Sequence, residues 1–319
     1  MISGLWRLRL PLPLPGVPHC NAWAIAAGGG VVLVDTGMHE PGSMAELERS
    51  MAQVGLSVDQ VRLLACTHAH IDHWGQAATI RDRAGCEFWL HPDHQHGFAT
   101  ATDPELALAR RLEIGRQSGV PQAALQRYVE RSRGMASGIA RVIEPDRSLV
   151  DGVEIETDLG VWQVFETPGH APSHVCLFQA ERRLLISGDH LLGRISLYFD
   201  YGWTHDPIGE FLASLDVTDE LGARLALSGH GKPFIDVRGH IEANRALVHD
   251  RLDAVLAAVL HEPKTAVEIA ASVYGEELTE TNTGWRLQET LCYLRHLELA
   301  GRVSHESEGD LATWGGISR

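Results

Sequence analysis

Five short apolar runs in the 319-residue chain each end in a small polar or glycine-containing loop. They are Val31–Val34 before Asp35-Thr36-Gly37, Leu63–Cys66 before Thr67-His68, Val161–Phe165 before Thr167-Pro168-Gly169-His170, Leu184–Ile186 before Ser187-Gly188-Asp189, and Leu225–Leu227 before Ser228-Gly229-His230. Runs this short do not make core helices; they suit buried strands. Loops that follow strands are where a rigid sheet presents chemistry, because glycine there lets the backbone come close to a reacting centre. The pattern predicts a sheet-based scaffold whose strand ends release histidines and aspartates at the same relative point.

Helical spacing fills the intervals. Met44, Leu47, Met51 and Val54 fall on one helical face, and His73–Ala84 reads as a helix that starts inside a histidine motif. Residues 98–142 read as a polar, mostly helical insert, with a helix start at Asp103-Pro104 and a break at Ser118-Gly119-Val120-Pro121. Beyond Gly239 the pattern changes to helices over Ile241–Leu260, Lys264–Tyr274 and Leu287–Ala300, the last ended by Gly301. Arg302–His305 and Leu311–Trp314 flank Glu308-Gly309-Asp310 as a hairpin. Three helices and a hairpin predict a winged-helix-like unit over 241–319, after a main domain over 1–240.

Charge and cysteine usage set limits on partners and compartment. The formal net charge is −15, which disfavours a surface built for nucleic acid or an anionic membrane. Residues 241–319 hold seven Lys and Arg against thirteen Asp and Glu, so the C-terminal unit reads as a packing, lid or dimerisation module rather than a nucleic-acid reader. Five scattered cysteines without a Cys-x-x-Cys pair predict reduced thiols in a cytoplasmic protein. Pro11, Pro13 and Pro15 interrupt the N-terminal apolar stretch, which argues against a signal peptide, and no run reaches the roughly 18 apolar residues of a membrane span.

The densest chemistry lies in His68-x-His70-x-Asp72-His73. Imidazole nitrogens and carboxylate oxygens suit zinc and, less selectively, iron or manganese. In a segment that leaves a strand and enters a helix, His68 and His70 can face one point while Asp72 and His73 face a second. One short stretch can then serve two metals.

This motif resembles the signature of the metallo-β-lactamase superfamily, and the resemblance continues in order through Asp35 in Val-Asp-Thr-Gly, His170 in Thr-Pro-Gly-His, Asp189 in Ser-Gly-Asp-His and His230 in Ser-Gly-His-Gly. It spans roughly Asn21 to Gly231. The resemblance implies an α/β fold, a four-layer αββα sandwich with the site along one edge of the two sheets. It implies one divalent metal on His68, His70 and His170, a second on Asp72, His73 and His230, and Asp189 bridging them, with zinc favoured and iron or manganese as alternatives. Asp35 would orient a histidine ligand from behind. An aspartate at position 189 is the pattern of glyoxalase II-like and nuclease-like members, not of true β-lactamases. The C-terminal unit resembles the winged-helix extension of some members, and family resemblance makes a homodimer plausible.

The expected activity is a dinuclear hydrolase that uses a metal-bound hydroxide on a small thioester, ester or lactone, such as an acyl-CoA or a glutathione thioester. Asp72 and Asp189 are the candidate catalytic carboxylates. The alternatives are a phosphodiesterase or ribonuclease and an iron-dependent, persulfide dioxygenase-like enzyme. His174, Tyr198, Tyr201 and Trp203 are candidate substrate contacts. Arg110, Arg111, Arg116, Arg127, Arg131, Arg133 and Arg141 make the insert either a solvated helical face or an anion-binding lid for a phosphate-bearing thioester.

Overall fold

A computed structural model of the chain describes residues 2–14, 16–133, 137–275, 278–279 and 282–317. In chain order its strands are β1 (Leu5–Leu14), β2 (Val17–Ala27), β3 (Gly30–Val34), β4 (Val61–Ala65), β5 (Glu87–Leu90), β6 (Arg147–Ser148), β7 (Glu154–Thr157), β8 (Gly160–Glu166), β9 (Val175–Gln179), β10 (Leu184–Gly188), β11 (Leu225–Ser228), β12 (Val303–Glu308) and β13 (Leu311–Gly316). The helices are α1 (Ser43–Ala52), α2 (Ile71–Trp74), α3 (Ala77–Ala84), α4 (Gln95–Thr102), α5 (Pro104–Gln117), α6 (Gln122–Arg133), α7 (Pro207–Glu220), α8 (Val237–Val259), α9 (Ala266–Tyr274) and α10 (Thr283–Leu299).

Strands β1 to β6 form one sheet in sequence order, and β11-β10-β9-β8-β7 form a second. Strand β1 shows why an apolar, proline-bearing stretch ends up here. Leu8, Leu10 and Leu12 point inward while Arg9, Pro11 and Pro13 point to solvent, and proline is tolerated because β1 is an edge strand. The fully buried strands β3 and β10 carry no such alternation, as expected for strands covered on both faces.

Three apolar clusters separate the layers. Trp23, Ile25, Val34, Trp162, Val164, Ile186 and Leu227 fill the space between the sheets. Leu33 and Leu64 pack outward against Leu47, Met51 and Ile80 of α1 and α3. The outer face of the second sheet, through Cys176 and Leu185, packs on Phe211 and Leu215 of α7 and continues into Ile241, Val255, Leu291, Tyr293 and Trp314. The result is the expected αββα sandwich. The C-terminal helices share a core with its last layer. No helix among the described residues is long and apolar enough to cross a membrane.

The predicted helix over 73–84 is divided. Helix α2 ends at Gly75, where a side chain would collide with the Ile71 and Gly138 carbonyl oxygens, and α3 begins after Gln76, whose backbone N–H turns to the Thr36 hydroxyl at 3.2 Å. The insert holds α4, α5 and α6, with Asp103 capping α5 by accepting from the Leu106 N–H at 3.0 Å. Its residues 134–136, like Met1, Pro15 and Arg319, lie outside the described residues.

Helix α10 braces the long loop between β10 and α7. Trp285 Nε1 donates to the Leu197 carbonyl (3.0 Å) and Gln288 Oε1 accepts from the Tyr201 N–H (3.0 Å). Arg295 Nε donates to the His205 carbonyl (3.3 Å), and His296 Nδ1 lies 3.0 Å from the carboxylate of Asp206, the cap of α7. These residues lie three, seven and one positions apart, within one stripe of the helix, so one face grips one loop.

Candidate metal centre

Each strand-end loop delivers its side chain to the same edge of the sandwich. Four overlapping groups of potential donors form there among the described residues, His68-His70-His170, Asp72-His73-His230, His68-His73-Asp189 and His70-His96-Asp200, each with its ligand atoms within 4.8 Å of one another. Asp189 reaches both of the first two: Oδ2 lies 3.1 Å from His230 Nε2 and 3.8 Å from His170 Nε2, and Oδ1 lies 3.6 Å from His73 Nε2.

Every one of the five imidazoles in those two groups has its second nitrogen engaged behind the cluster. His68 Nδ1 is 3.0 Å from the Thr67 hydroxyl, which in turn lies 3.0 Å from Asp35 Oδ2. His73 Nδ1 donates to Asp35 Oδ2 (2.9 Å) and His70 Nε2 to Asp200 Oδ2 (2.9 Å). His170 Nδ1 donates to the Tyr198 carbonyl (3.0 Å) and His230 Nδ1 to the His19 carbonyl (2.9 Å). These bonds fix the direction of each ring, so the remaining nitrogens point inward.

Burial and charge agree with a site that needs cations. Burial alone would lower the His73 imidazolium, but Asp72, Asp189 and Asp35 hold its pKa well above the usual range. Burial likewise opposes protonation of His230, yet Asp189 and Asp72 push it up to about 10. Burial would raise the Asp72 carboxyl, but His73 and His230 bring it down to about 2. On the other side, burial and then its histidine neighbours push His68 well below the usual range and His170 to about 4. Three inward-facing atoms, His68 Nε2, His73 Nε2 and Asp189 Oδ1, are buried with no hydrogen-bond partner. Orphaned polar atoms of this kind normally cost about 1–3 kcal/mol each, and a coordinated cation removes that penalty. The donor set of imidazole and carboxylate fits a pair of divalent metals.

Two local features keep the centre compact. Asp35 adopts a left-handed backbone (φ 65°), unusual for a residue other than glycine, which turns its carboxylate under Thr67 and His73. Gly97 packs directly on the Ala69 carbonyl, so any side chain there would strike the backbone of the histidine motif.

The sequence did not single out Asp200, His96 or Ser173 as site residues. Asp200 Oδ2 also lies 2.9 Å from His96 Nδ1, His96 Nε2 lies 2.8 Å from Ser173 Oγ, and Ser173 Oγ accepts from the Ala69 N–H at 2.9 Å. The one carboxylate inside an aromatic-rich stretch near Asp189 was the available signal. His174 corrects an expectation: it is fully buried, its Nε2 accepts from the Asp189 and His190 N–H groups (3.1 and 3.2 Å), and it supports the Asp189 turn from behind. Tyr198, Tyr201 and Trp203 do line the cavity that opens over the centre, which measures about 2040 Å³ and is walled on its far side by Trp285 and Gln288 of α10. Of the insert's arginines, Arg110 and Arg111 face it; Arg116 pairs with Glu113 and Asp310, and Arg141 with Asp82.

A sheet sandwich with this donor cluster at its edge defines a metallo-hydrolase, and comparison with known proteins gives the same class. The chain belongs to the metallo-beta-lactamase superfamily, whose family model matches residues 15–230. It is 24% identical over 307 residues to the probable metallo-hydrolase YqjP of Bacillus subtilis (strain 168), spanning 90% of each chain. It is 29% identical to the metallo-beta-lactamase family protein TTHA1429 from Thermus thermophilus, with a TM-score of 0.85 over 99% of both chains. A third relative is the atrochrysone carboxyl ACP thioesterase of Aspergillus chevalieri, 25% identical over 188 residues and matching 54% of this chain and 57% of the relative. The protein is a metal-dependent hydrolase.

Proposed function

We propose that the chain is a dinuclear hydrolase of small thioesters, esters or lactones, with His68, His70 and His170 holding one metal, Asp72, His73 and His230 the other, and Asp189 between them. The observation that carries this reading is the set of five imidazoles whose outer nitrogens are all tied back, leaving converging inner nitrogens. The match to a thioesterase supports the acyl-transfer side of the choice. Zinc is the metal we favour, on the mix of nitrogen and oxygen donors.

Two divalent cations held there would polarise a scissile carbonyl and lower the pKa of an attacking water toward about 7. The chain's own contribution is arrangement and proton handling. Asp72 lies on the cavity wall, with its Oδ2 3.3 Å from His230 Nε2. That carboxylate can take the proton of the attacking water and pass it to the departing thiolate or alkoxide. Asp189, gripped from behind by the bonds to His174, keeps the two donor groups at a fixed spacing. Tyr198 and Trp203 line the cavity over the reacting centre. We assign residues 241–319 to a winged-helix-like unit that walls the cavity. Its recognition helix is a poor reader of nucleic acid, because Arg286 lies 3.3 Å from Glu289 and Arg295 2.7 Å from Glu298.

Metal analysis of the purified protein should give about two equivalents, and thiol release from a panel of acyl-thioesters should exceed turnover of a phosphodiester. One iron per chain with oxygen consumption would replace this reading by the dioxygenase one, and RNA cleavage without thioester turnover would replace it by the nuclease one. Asp189→Ala should abolish turnover and lower metal content together; full activity in that variant removes Asp189 as the shared ligand.

A further inference from the structure

Beyond the reactive centre, the charge of the cavity wall is uneven once paired groups are set aside. Among the carboxylates on it, Asp72 and Asp189 belong to the donor cluster and Asp200 is bonded to His70 and His96. Asp103 caps α5, Glu113 pairs with Arg116 and Gln117, and Glu289 pairs with Arg286. Of the four cavity arginines with no ion-paired carboxylate among the described residues, Arg251 is taken up by the Val273 carbonyl and the Tyr274 ring, which leaves Arg110, Arg111 and Arg194. All three are exposed to the cavity or its mouth.

Their placement relative to the donor cluster is specific. The Arg110 guanidinium sits 5.9 Å from the Trp203 ring, Trp203 sits 6.3 Å from His96, and His96 is bonded through Asp200 to His70. Arg111 donates to the Thr100 hydroxyl (3.1 Å) with the rest of its fork open, and the Tyr198 ring beside it lies 5.6 Å from His70 and 5.7 Å from His170. Arg194 also lines the cavity, on the loop that follows Asp189. A cavity of about 2040 Å³ exceeds the 300–1000 Å³ that usually encloses a compact small molecule. A substrate larger than a compact small molecule, with its scissile bond at the metals and a distal group among the arginines, fits that volume.

We propose that Arg110, Arg111 and Arg194 form a subsite for a phosphate-class anion on the arm of the substrate remote from the scissile bond. Guanidinium forks match the oxygens of a phosphate ester in pairs, and three of them without competing carboxylates favour a dianion over a single carboxylate. The subsite rests on the hydrolase reading for its place in the reaction but not for its ability to bind. On an acidic protein it also steers an anionic substrate toward this cavity.

The test uses metal-loaded protein and two thiols that differ only in a terminal phosphate, pantetheine and 4′-phosphopantetheine, with their acetyl thioesters as substrates. Calorimetry should show the phosphorylated thiol binding roughly tenfold tighter, with the gap narrowing as salt rises. The phosphorylated thioester should have the higher kcat/KM, the difference residing in KM. In the Arg110→Gln/Arg111→Gln/Arg194→Gln variant the ratio between the paired ligands should fall to about one; its circular dichroism and melting temperature check the fold, and Arg194→Gln alone, on a loop, should give part of the same loss. Equal binding of the two thiols by the unmodified protein, or a ratio that survives in the triple variant, overturns the subsite. A phosphate preference in binding without thioester turnover refutes the hydrolase reading and leaves the subsite standing; turnover without preference does the reverse.

Discussion

Replacing Asp200 by alanine removes the acceptor for two ring N–H groups at once, those of His70 and His96, each at 2.9 Å. Asp200 is 12% exposed and His96 2%, so water can compensate poorly. A hydrogen bond to a charged acceptor contributes about 1.5–3 kcal/mol. Only the His70 bond acts on a proposed ligand, and loss of such an outer partner weakens metal binding roughly 10–100-fold, or about 1.4–2.8 kcal/mol. The other donor group, Asp72-His73-His230, makes no contact with Asp200 and is oriented by Asp35 and the His19 carbonyl instead. The expected result is therefore asymmetric. In a chelator competition followed by metal-sensitive dye, one of the two metals should dissociate roughly 10–100-fold more readily while the other is nearly unchanged. Asp200→Asn, which keeps one carbonyl oxygen as acceptor, should lose less. Equal weakening of both metals, or a change below about threefold at either, would refute the argument that Asp200 acts by holding the His70 ring.

Asp35→Ala should weaken both metals and lower stability together, because it strips the buried Thr67 N–H (2.8 Å), His73 Nδ1 and the Thr67 hydroxyl behind His68 of their acceptor; a loss of about 3 kcal/mol or more, measured by urea unfolding, is expected. Gly97→Ala should lower the melting temperature and the metal affinity in parallel, since the new methyl meets the Ala69 carbonyl rather than a movable side chain; unchanged metal affinity would show that the histidine turn tolerates the shift. Removal of metal by chelation should lower the melting temperature, with recovery on adding zinc, because binding to the folded state alone stabilises it; a melting curve indifferent to metal would mean that no cation is held by the buried donors.

The strand-end loops were legible because their chemistry is local. A run of buried strand residues followed by glycine and a histidine or aspartate states both the element and its product, and Asp35, His68, His170, Asp189 and His230 all arrive where that pattern puts them. The same runs pointed to buried strands, while the αββα sandwich came from the family resemblance that the histidine motif carries. What eluded the sequence depends on partners distant in the chain. Asp200 gains its role from His70 and His96, more than 100 residues away, and its own neighbourhood offers only the weak signal of a lone carboxylate among aromatics. His174 shows the converse. Its spacing from His170 placed it near the centre, but spacing does not say which side of the loop it supports, and two backbone N–H groups claim its ring. The insert's arginines were visible as a group, yet pairing with Glu113, Asp310 and Asp82 takes Arg116 and Arg141 out of contention.

The grip of α10 on the loop through Trp285, Gln288, Arg295 and His296 has a practical bearing on how the molecule can be dissected. All seven proposed ligands precede Gly231, so a fragment ending shortly after β11 would contain every one of them. It would lose the clamp on Leu197 and Tyr201, and with it the anchorage of the Asp200 carboxylate that lies between them. Such a fragment would test as a protein with a complete set of ligands and a poor grip on one ion, and the fault would lie in a helix more than fifty residues downstream of the last of them.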